Sequence, residues 1–205
     1  MPNDITNRLA VQGVSDERVK EILEAIKNDE VGTGSIDFNK IIPMPDHIFR
    51  GPLGQEEQRI YGKDNWYDWG VSYWGTSRAS YGYDNFPAYD GGNRISFLTA
   101  WSRPEPVIEA LSRMFPDAEF EHAWADEDIG SNVGECVYQD GEVFFECIPD
   151  RQSAEAYEMA ADIIGIDLEE YGFVYSEDDE SYHYIEELDA SDNPEPEENG
   201  GMNLQ

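Results

Sequence analysis

The spacing of apolar positions near the N-terminus changes twice, which predicts three elements. Residues 7–13 (NRLAVQG) have the composition of a short strand. Ser15 suits the first position of a helix. That helix has one apolar face, because residues at i, i+3, i+4 and i+7 are apolar: Val19, Ile22, Leu23 and Ile26. Residues 35–42 (SIDFNKII) alternate between apolar and polar side chains, which predicts a second strand.

Residues 65–81 (NWYDWGVSYWGTSRASY) are unusually rich in tryptophan and tyrosine. A platform on which nucleic-acid bases stack is normally flanked by cations, and no cluster of Lys or Arg flanks this stretch. Helical spacing of the rings favours burial instead. We predict that the stretch packs an inserted segment onto a sheet through four buried rings: Trp66, Trp69, Tyr73 and Trp74. Tyr81 is expected in a mobile loop. Anchoring of a protein partner and stacking of a ligand are the alternatives.

The second half of the chain shows a helix between two strands, then a hairpin and a last helix. Residues 93–101 and 118–124 read as strands, and the segment between them has the apolar spacing of a helix. Asp140-Gly141 suits a two-residue type I′ turn. That turn places Tyr138 opposite Val143 and Cys136 opposite Phe145, in a hairpin that lies on the core. Residues 153–164 form the last predicted helix.

This order of elements predicts an α+β protein, a ferredoxin-like split-βαβ sandwich with an aromatic-rich insertion and an acidic C-terminal tail. We place the ferredoxin-like domain at residues 1–172, with the insertion at about 43–92. Residues 173–205 are rich in Asp, Glu, Ser and Pro and predict a largely disordered acidic tail. A short docking element within the tail is compatible with its apolar residues: Tyr182, Tyr184, Ile185 and Leu188.

Several blocks resemble a known family when they are read in order. They are ITNRLAVQG, DFNKIIPMP, NWYDWGVSYWGT, ISFLTAWSRPEPVIEALSRMFP and WADEDIGSNVGE. Together they resemble the YubB ferredoxin-like family over residues 5 to about 150, with a departure at Ser77-Arg78. The resemblance implies a ferredoxin-like fold and an origin in phages, plasmids or other mobile elements. It implies no catalytic residues.

The charge balance restricts the classes of partner. The chain has 205 residues with 45 acidic side chains against 13 Lys and Arg, a formal net charge of −32. Residues 1–151 alone carry 28 acids and 13 bases, so the folded part is acidic too. Binding of nucleic acid or of an anionic membrane needs clustered cations. We therefore expect no direct nucleic-acid partner and a basic protein surface instead. Acidity that serves only solubility, or a salty habitat, is the alternative.

Membrane and secretion signals are not found in this sequence. No apolar run approaches the roughly 18 residues that a membrane span needs. The first residues, MPNDITNRLAV, lack the basic and apolar regions of a signal peptide. We predict a cytoplasmic protein with no membrane partner.

Candidate catalytic and metal-binding groups each have a simpler explanation. His122 lies between Phe120 and Trp124 on a predicted buried face, which favours a hydrogen-bonded core histidine. Cys136 and Cys147 are predicted to be reduced core thiols, since a reactive thiol needs an electropositive setting. Residues 126–132 (DEDIGSN) resemble half of a calcium loop, but an acidic turn between strands is the favoured explanation. We predict no catalytic residue, no cofactor and no metal.

The function that these features favour is a non-enzymatic acidic interaction protein of a mobile element. Its carboxylates would imitate DNA phosphates and block the basic cleft of a host defence protein. The predicted partner-binding residues are ten carboxylates: Asp126, Glu127, Asp128, Glu135, Glu142, Glu146, Glu177, Asp178, Asp179 and Glu180. The alternatives are an accessory binding module with a solubilising tail, and a metal-binding protein or enzyme that uses the 126–132 turn.

Overall fold

The structure, a computed structural model, describes residues 3–185. Its helices and strands follow in chain order: β1 (Asp4–Gln12), α1 (Asp16–Ile26), α2 (Phe38–Ile41), α3 (Gln55–Tyr61), α4 (Trp66–Tyr73), β2 (Arg94–Ala100), α5 (Glu105–Met114), β3 (Glu119–Asp126), β4 (Gly134–Gln139), β5 (Glu142–Cys147), α6 (Ala154–Ile164), β6 (Phe173–Ser176) and β7 (Ser181–Tyr184). A single 3₁₀ turn, Tyr83–Asn85, precedes β2. This mixture of helices and antiparallel strands confirms the predicted α+β class.

Five strands form the main sheet in the order β2-β1-β3-β4-β5. Every neighbouring pair is antiparallel. Because β2 and β3 both pair antiparallel with β1, they run in the same direction on its two sides. Helix α5 connects β2 to β3 across β1, which is the split-βαβ arrangement expected of a ferredoxin-like fold.

One face of the sheet carries the main core. Helix α1 begins at Ser15, whose side chain accepts a hydrogen bond from the Arg18 N–H. The apolar face predicted for this helix is confirmed, since all four of its residues are buried: Val19, Ile22, Leu23 and Ile26. They pack with α5 and with large side chains from the strands, including Leu9, Phe97 and Phe120.

The opposite face of the sheet is covered by α6. Ala123 and Ala125 on β3 meet Ala156 and Ala160 of the helix, and these small side chains allow the helix to approach closely. Ser153 begins α6, and its hydroxyl accepts a hydrogen bond from the Ala156 N–H. The sheet therefore has a layer of helix on both faces.

The segment predicted as the start of a disordered tail forms the antiparallel hairpin β6–β7. Its Phe173 and Tyr182 pack against Tyr157 of α6 and against Leu168. The folded part thus extends past residue 172, to at least residue 185. The many acidic residues of this segment predict disorder from composition, although its four aromatic residues can pack against the domain. The rest of the predicted tail and Leu188 lie outside the described residues.

Residues 35–42 do not form the predicted strand. They contain α2, a single helical turn that begins where the Asp37 side chain accepts a hydrogen bond from the Asn39 N–H. Ile36 and Phe38 are both fully buried. A short alternating pattern does not distinguish a strand from a capped turn, and here the cap at Asp37 decides the conformation.

The β4–β5 hairpin has the predicted turn but a different register beyond it. Asp140 and Gly141 have φ values of 48° and 79°, as a type I′ turn requires, and Tyr138 opposes Val143. A β-bulge follows, so that Phe145 opposes Val137 instead of Cys136. The prediction that this hairpin lies on the core is also wrong for β5, whose residues from Glu142 to Glu146 are exposed.

Two of the four rings predicted to be buried in the aromatic stretch are buried. Trp69 and Trp74 are 7% and 4% exposed and belong to the main core. Trp66 is partly buried and donates its indole N–H to the Gly51 carbonyl at 3.0 Å. Tyr73 is 54% exposed, because it stacks on the solvent side of Trp69. Tyr81, expected in a mobile loop, pairs with Leu98 of β2.

Candidate functional site

Ion pairs within the fold use many of the cations, so the surface is strongly acidic. Seven of the 13 Lys and Arg side chains pair with carboxylates: Arg8, Arg18, Lys27, Lys40, Arg103, Arg113 and Arg151. Thirty-eight of the 45 acidic side chains lie in residues 3–185. The carboxylates left over therefore dominate the field around the folded domain.

Asp126, one of the predicted partner-binding residues, is not available to a partner. Its side chain is buried and accepts hydrogen bonds from Asn3 at 3.0 Å, from the Asp128 N–H at 3.0 Å and from Asn132 at 3.3 Å. These bonds shape the turn that resembles half of a calcium loop. Asp126 is thus a structural residue of this turn, and the prediction of an exposed carboxylate there is wrong.

Glu127 and Asp128 are exposed, and the fold brings them close to a second acidic turn. Arg151 lies between the two, since it donates to Ser131 at 3.0 Å and approaches Asp128 at 3.7 Å. The backbone carbonyl of Gln152, the residue after Arg151, accepts a hydrogen bond from the Ser181 hydroxyl at the start of β7. The turns at 126–132 and 177–180 therefore lie side by side at one end of the molecule.

The turn between β6 and β7 contains four of the predicted carboxylates: Glu177, Asp178, Asp179 and Glu180. All four are exposed. Hydrogen bonds from Ser176 and from His183 lower the pKa of the Asp179 carboxyl. A lowered pKa keeps the Asp179 side chain ionised to a lower pH than usual.

The three remaining predicted carboxylates lie on the β4–β5 hairpin and are not gathered in one place. Glu135 is partly buried opposite Cys147, at the open end of the hairpin. Glu142 is exposed beside the turn at the other end. Glu146 is exposed, and it lies 3.8 Å from Arg103. The predicted set is therefore divided between two regions of the surface.

An acidic row on α6 was missed by the sequence interpretation. Glu155, Glu158 and Asp162 are all exposed and follow one another at i, i+3 and i+7, so they lie along one face of the helix. At 1.5 Å per residue, they are spaced by about 4.5 and 6 Å along the helix axis. The apolar face of this helix is evident in the sequence. The spacing of acidic residues at i, i+3 and i+7 on its other face is the signal that identifies the row.

Asn7, His122 and Cys136 lie on neighbouring strands of the sheet in an arrangement that resembles a cysteine-nucleophile site. His122 Nε2 is 3.0 Å from Asn7 Oδ1, and His122 is paired with Cys136 across β3 and β4. Arg103 stacks over Trp124 at 3.8 Å and approaches Cys136 Sγ at 3.6 Å. In such a site, the imidazole of His122 would activate the thiolate of Cys136, and Asn7 would orient the imidazole.

The environment of these groups opposes that chemistry. His122 and Cys136 are both 0% exposed. Burial lowers the pKa of His122 to about 3 and raises the pKa of Cys136, so both groups are held neutral. A nucleophilic cysteine needs the opposite shift of the thiol. The prediction of a hydrogen-bonded core histidine is confirmed, and Cys136 is the core thiol that was predicted, whereas Cys147 is only partly buried.

A groove of about 650 Å³ lies beside β2, lined by the 3₁₀ turn and by residues 86–96. The Tyr83 hydroxyl is bonded to the Ile36 backbone, and the Tyr89 hydroxyl donates to the Gly92 carbonyl. Two of the polar groups that could orient a ligand are thus used within the fold. Among residues 3–185, no three His, Cys, Asp or Glu side chains are grouped as a metal ion would require.

The comparison with protein families agrees with this architecture. Residues 73–167 match a family model described as the ferredoxin-like domain in Api92-like protein. This stretch of the chain is similar to a ferredoxin-like family. The match runs from the end of α4 through β2, α5 and the three following strands to just beyond α6. It supports the predicted fold and a ferredoxin-like family of unknown function.

No curated protein and no solved structure matches the chain. Within residues 3–185, every helix is too short or too polar to cross a lipid bilayer.

Proposed function

We propose that this protein is a non-enzymatic interaction protein that binds the cationic surface of a nucleic-acid-binding protein. The observation that carries the proposal is the acidic surface that α6 and the β6–β7 hairpin form together. The row of Glu155, Glu158 and Asp162 on α6 lies on the same side as the hairpin that ends in the 177–180 turn, because the Tyr182 hydroxyl reaches Glu158 at 3.3 Å.

The spacing of these carboxylates supports imitation of a nucleic-acid backbone. One strand of B-DNA carries a phosphate about every 3.4 Å along the helix axis. On the rigid helix α6, Glu155 and Glu158 lie about 4.5 Å apart along the axis, and Asp162, which pairs with Arg8 at 2.7 Å, follows about 6 Å further on. A basic groove that holds phosphates would meet charges of the same sign at comparable intervals, so it would exclude DNA while this protein is bound.

The origin and the target belong to the same proposal. The sequence blocks that resemble the YubB family support an origin in a phage, plasmid or other mobile element. A host defence protein that binds nucleic acid in the cytoplasm is the kind of target that such an element would need to block. Anti-defence activity follows from that reasoning.

Affinity capture from a host lysate with salt-graded elution tests the proposal. The immobilised protein is expected to retain a basic protein that duplex DNA displaces and that elutes as salt rises, because screening weakens contacts between exposed charges. Retention that persists at high salt, or that duplex DNA does not reduce, would overturn the proposal.

Matched variants make the same experiment specific for α6. Glu155→Gln with Glu158→Gln removes two charges from the row, and the captured protein is expected to elute at lower salt. Glu30→Gln with Glu56→Gln removes two exposed charges elsewhere and serves as the control. Equal effects of the two pairs would show that total charge matters and the α6 row does not.

A further inference from the structure

The two edges of the main sheet differ in how their backbone groups are satisfied. At the β2 edge, Tyr81 and Leu98 exchange two backbone hydrogen bonds of 2.8 and 3.0 Å. The Thr76 hydroxyl bonds to both the carbonyl and the N–H of Ala100, at 2.9 and 3.2 Å. The preceding chain therefore covers the part of this edge at Leu98 and Ala100 and hinders the pairing of another strand there.

The β5 edge is uncovered. Within residues 3–185, β5 has backbone pairing to β4 alone, and no other segment bonds to its outer side. Large apolar side chains are concentrated along it: Val143 is 49% exposed, Phe144 68%, Phe145 48% and, just after the strand, Ile148 55%. An uncovered edge with exposed apolar side chains is the feature that pairs with an added strand.

The negative charge around β5 determines which kind of added strand can pair with this edge. Glu142 and Glu146 are exposed on β5, and Glu135 lies on the strand beside it. A second copy of the chain would bring its own carboxylates against these, and each copy carries a net charge of −32. A segment with Lys or Arg would instead complement them, because opposite charges on neighbouring strands stabilise pairing while like charges oppose it.

We propose that β5 binds an extended segment of a partner protein, which carries both apolar residues and Lys or Arg, by β-strand addition. Each face of β5 presents one carboxylate and one apolar side chain, Glu146 with Val143 on one face and Glu142 with Phe145 on the other. The partner's cations pair with the two carboxylates, and its apolar side chains contact Val143, Phe145 and the exposed ring of Phe144 at the bulge. The choice of a cationic partner rests on the proposed function, whereas the pairing of backbones does not.

The bulge in β5 sets the length of the pairing. Phe144 is the additional residue between Val143, opposite Tyr138, and Phe145, opposite Val137. A bulge bends the strand and interrupts its regular row of backbone donors and acceptors. Pairing is therefore confined to short stretches on either side of Phe144, which discourages long, unselective association.

A synthetic peptide of eight residues that repeats Lys-Lys-Val-Val is the probe, because each face of such a strand carries both Lys and Val. Amide hydrogen exchange of the full chain is measured with and without it. Protection is expected to increase at β5 amides and to stay unchanged at β2, with binding lost when Lys is replaced by Glu. Protection that does not increase at β5 in the presence of saturating peptide would overturn strand addition. Equal binding of the Glu-containing peptide would overturn the charge selection.

Variants separate the apolar contact from general effects of the substitution. Phe144→Ser is expected to weaken peptide binding about tenfold, as a truncated aromatic anchor does. Val71→Ser on α4, which is also exposed, is the control and is expected to leave binding unchanged. Glu142→Gln tests the charge with little change of shape. Equal losses with Phe144→Ser and Val71→Ser would count against the proposed site.

Two measurements distinguish strand addition from the proposed function: the oligomeric state from sedimentation, and the displacement of captured proteins by duplex DNA. If Phe144→Ser abolishes a dimer seen with the unmodified chain, a second copy occupies β5 and the proposal is wrong. If peptide protects β5 while captured proteins are indifferent to duplex DNA, strand addition stands and phosphate imitation fails. If peptide does not protect β5 while duplex DNA displaces the captured proteins, strand addition is wrong and phosphate imitation stands.

Discussion

His122 Nε2 lies 3.0 Å from Asn7 Oδ1, and both side chains are fully buried in the sheet. Asn7 donates its own amide hydrogens to the Ile5 carbonyl and to the Thr99 hydroxyl, each at 2.9 Å. Its oxygen is therefore the acceptor for a proton on His122 Nε2. The ring is held in one neutral tautomer, and burial lowers its pKa from the ordinary 6.5 to about 3.

Acidification is expected to destabilise the protein through His122. Below pH 6.5 the unfolded chain takes up a proton that the folded ring refuses until about pH 3. The stabilisation is therefore complete above pH 6.5 and is lost progressively as the pH falls towards 3, at no more than about 1.4 kcal/mol per pH unit. Urea unfolding from pH 7 to pH 4 measures this change.

The comparison of variants isolates the contribution of His122, because protonation of carboxylates also changes stability with pH. His122→Gln should reduce the slope of the unfolding free energy against pH by up to the equivalent of one bound proton. His183→Gln, at a partly exposed position, serves as the control. Identical pH profiles for the unmodified protein and His122→Gln would refute the assignment.

The buried tryptophans are expected to carry the stability of the aromatic stretch. Trp69→Ala or Trp74→Ala should each lower the free energy of unfolding by about 3–5 kcal/mol, as removal of a core ring does. Tyr73→Ala should cost about 1 kcal/mol or less, since that ring is half exposed. Chemical denaturation of the three variants measures the difference. Similar costs for Tyr73→Ala and Trp69→Ala would contradict the observed burial.

Truncation is expected to separate the hairpin from the rest of the tail. Removal of residues 173–205 exposes Tyr157 and Leu168, so the melting temperature should fall by several degrees, which corresponds to about 2 kcal/mol for this burial. Removal of residues 186–205 leaves the hairpin in place and should change the melting temperature little. Equal melting temperatures for both truncations would mean that the hairpin adds no stability.

The two thiols are expected to differ in reactivity. Cys136 is fully buried and Cys147 is only partly buried, and burial raises the pKa of both thiols. Iodoacetamide at neutral pH should therefore label Cys147 slowly and Cys136 only after unfolding, as mass spectrometry of the peptides can show. Rapid labelling of native Cys136 would indicate a reactive thiol and would revive the nucleophile interpretation.

The 126–132 turn is expected to hold together without a metal ion. Asp126→Ala removes an acceptor from three donors and should cost about 1–3 kcal/mol, whether or not calcium is present. Asp128→Ala, at an exposed position, should cost much less. Thermal unfolding with calcium and with a chelator measures both. A rise in melting temperature with calcium that both substitutions abolish would support the metal-binding alternative.

Spacing in the sequence predicted the elements that have a regular apolar face. The burial of α1 and the turn at Asp140-Gly141 follow from local rules that tertiary contacts did not override. The bulge at Phe144 was not predictable in this way, because an extra residue in one strand leaves the alternation of each flank intact.

Charge in the sequence predicted the acidic surface but not its arrangement. Asp126 and Glu127 are adjacent and chemically alike, yet the first is buried and accepts hydrogen bonds from the distant Asn3 and from its own turn, whereas the second is exposed. Likewise, the closeness of the 126–132 and 177–180 turns depends on Arg151 and Ser181, which are distant in sequence from the first turn. Such contacts arise only when the chain folds.

The cover that Tyr81 provides over Leu98 limits the stoichiometry of any assembly built through the sheet. A sheet with two open edges can be extended at both of them, whereas here the bonds at Leu98 and Ala100 occupy part of the β2 edge and favour growth at β5. Once β5 is occupied, the covered part of the β2 edge offers a poor site for the next copy. The cover at β2 therefore favours a finite complex over a fibre.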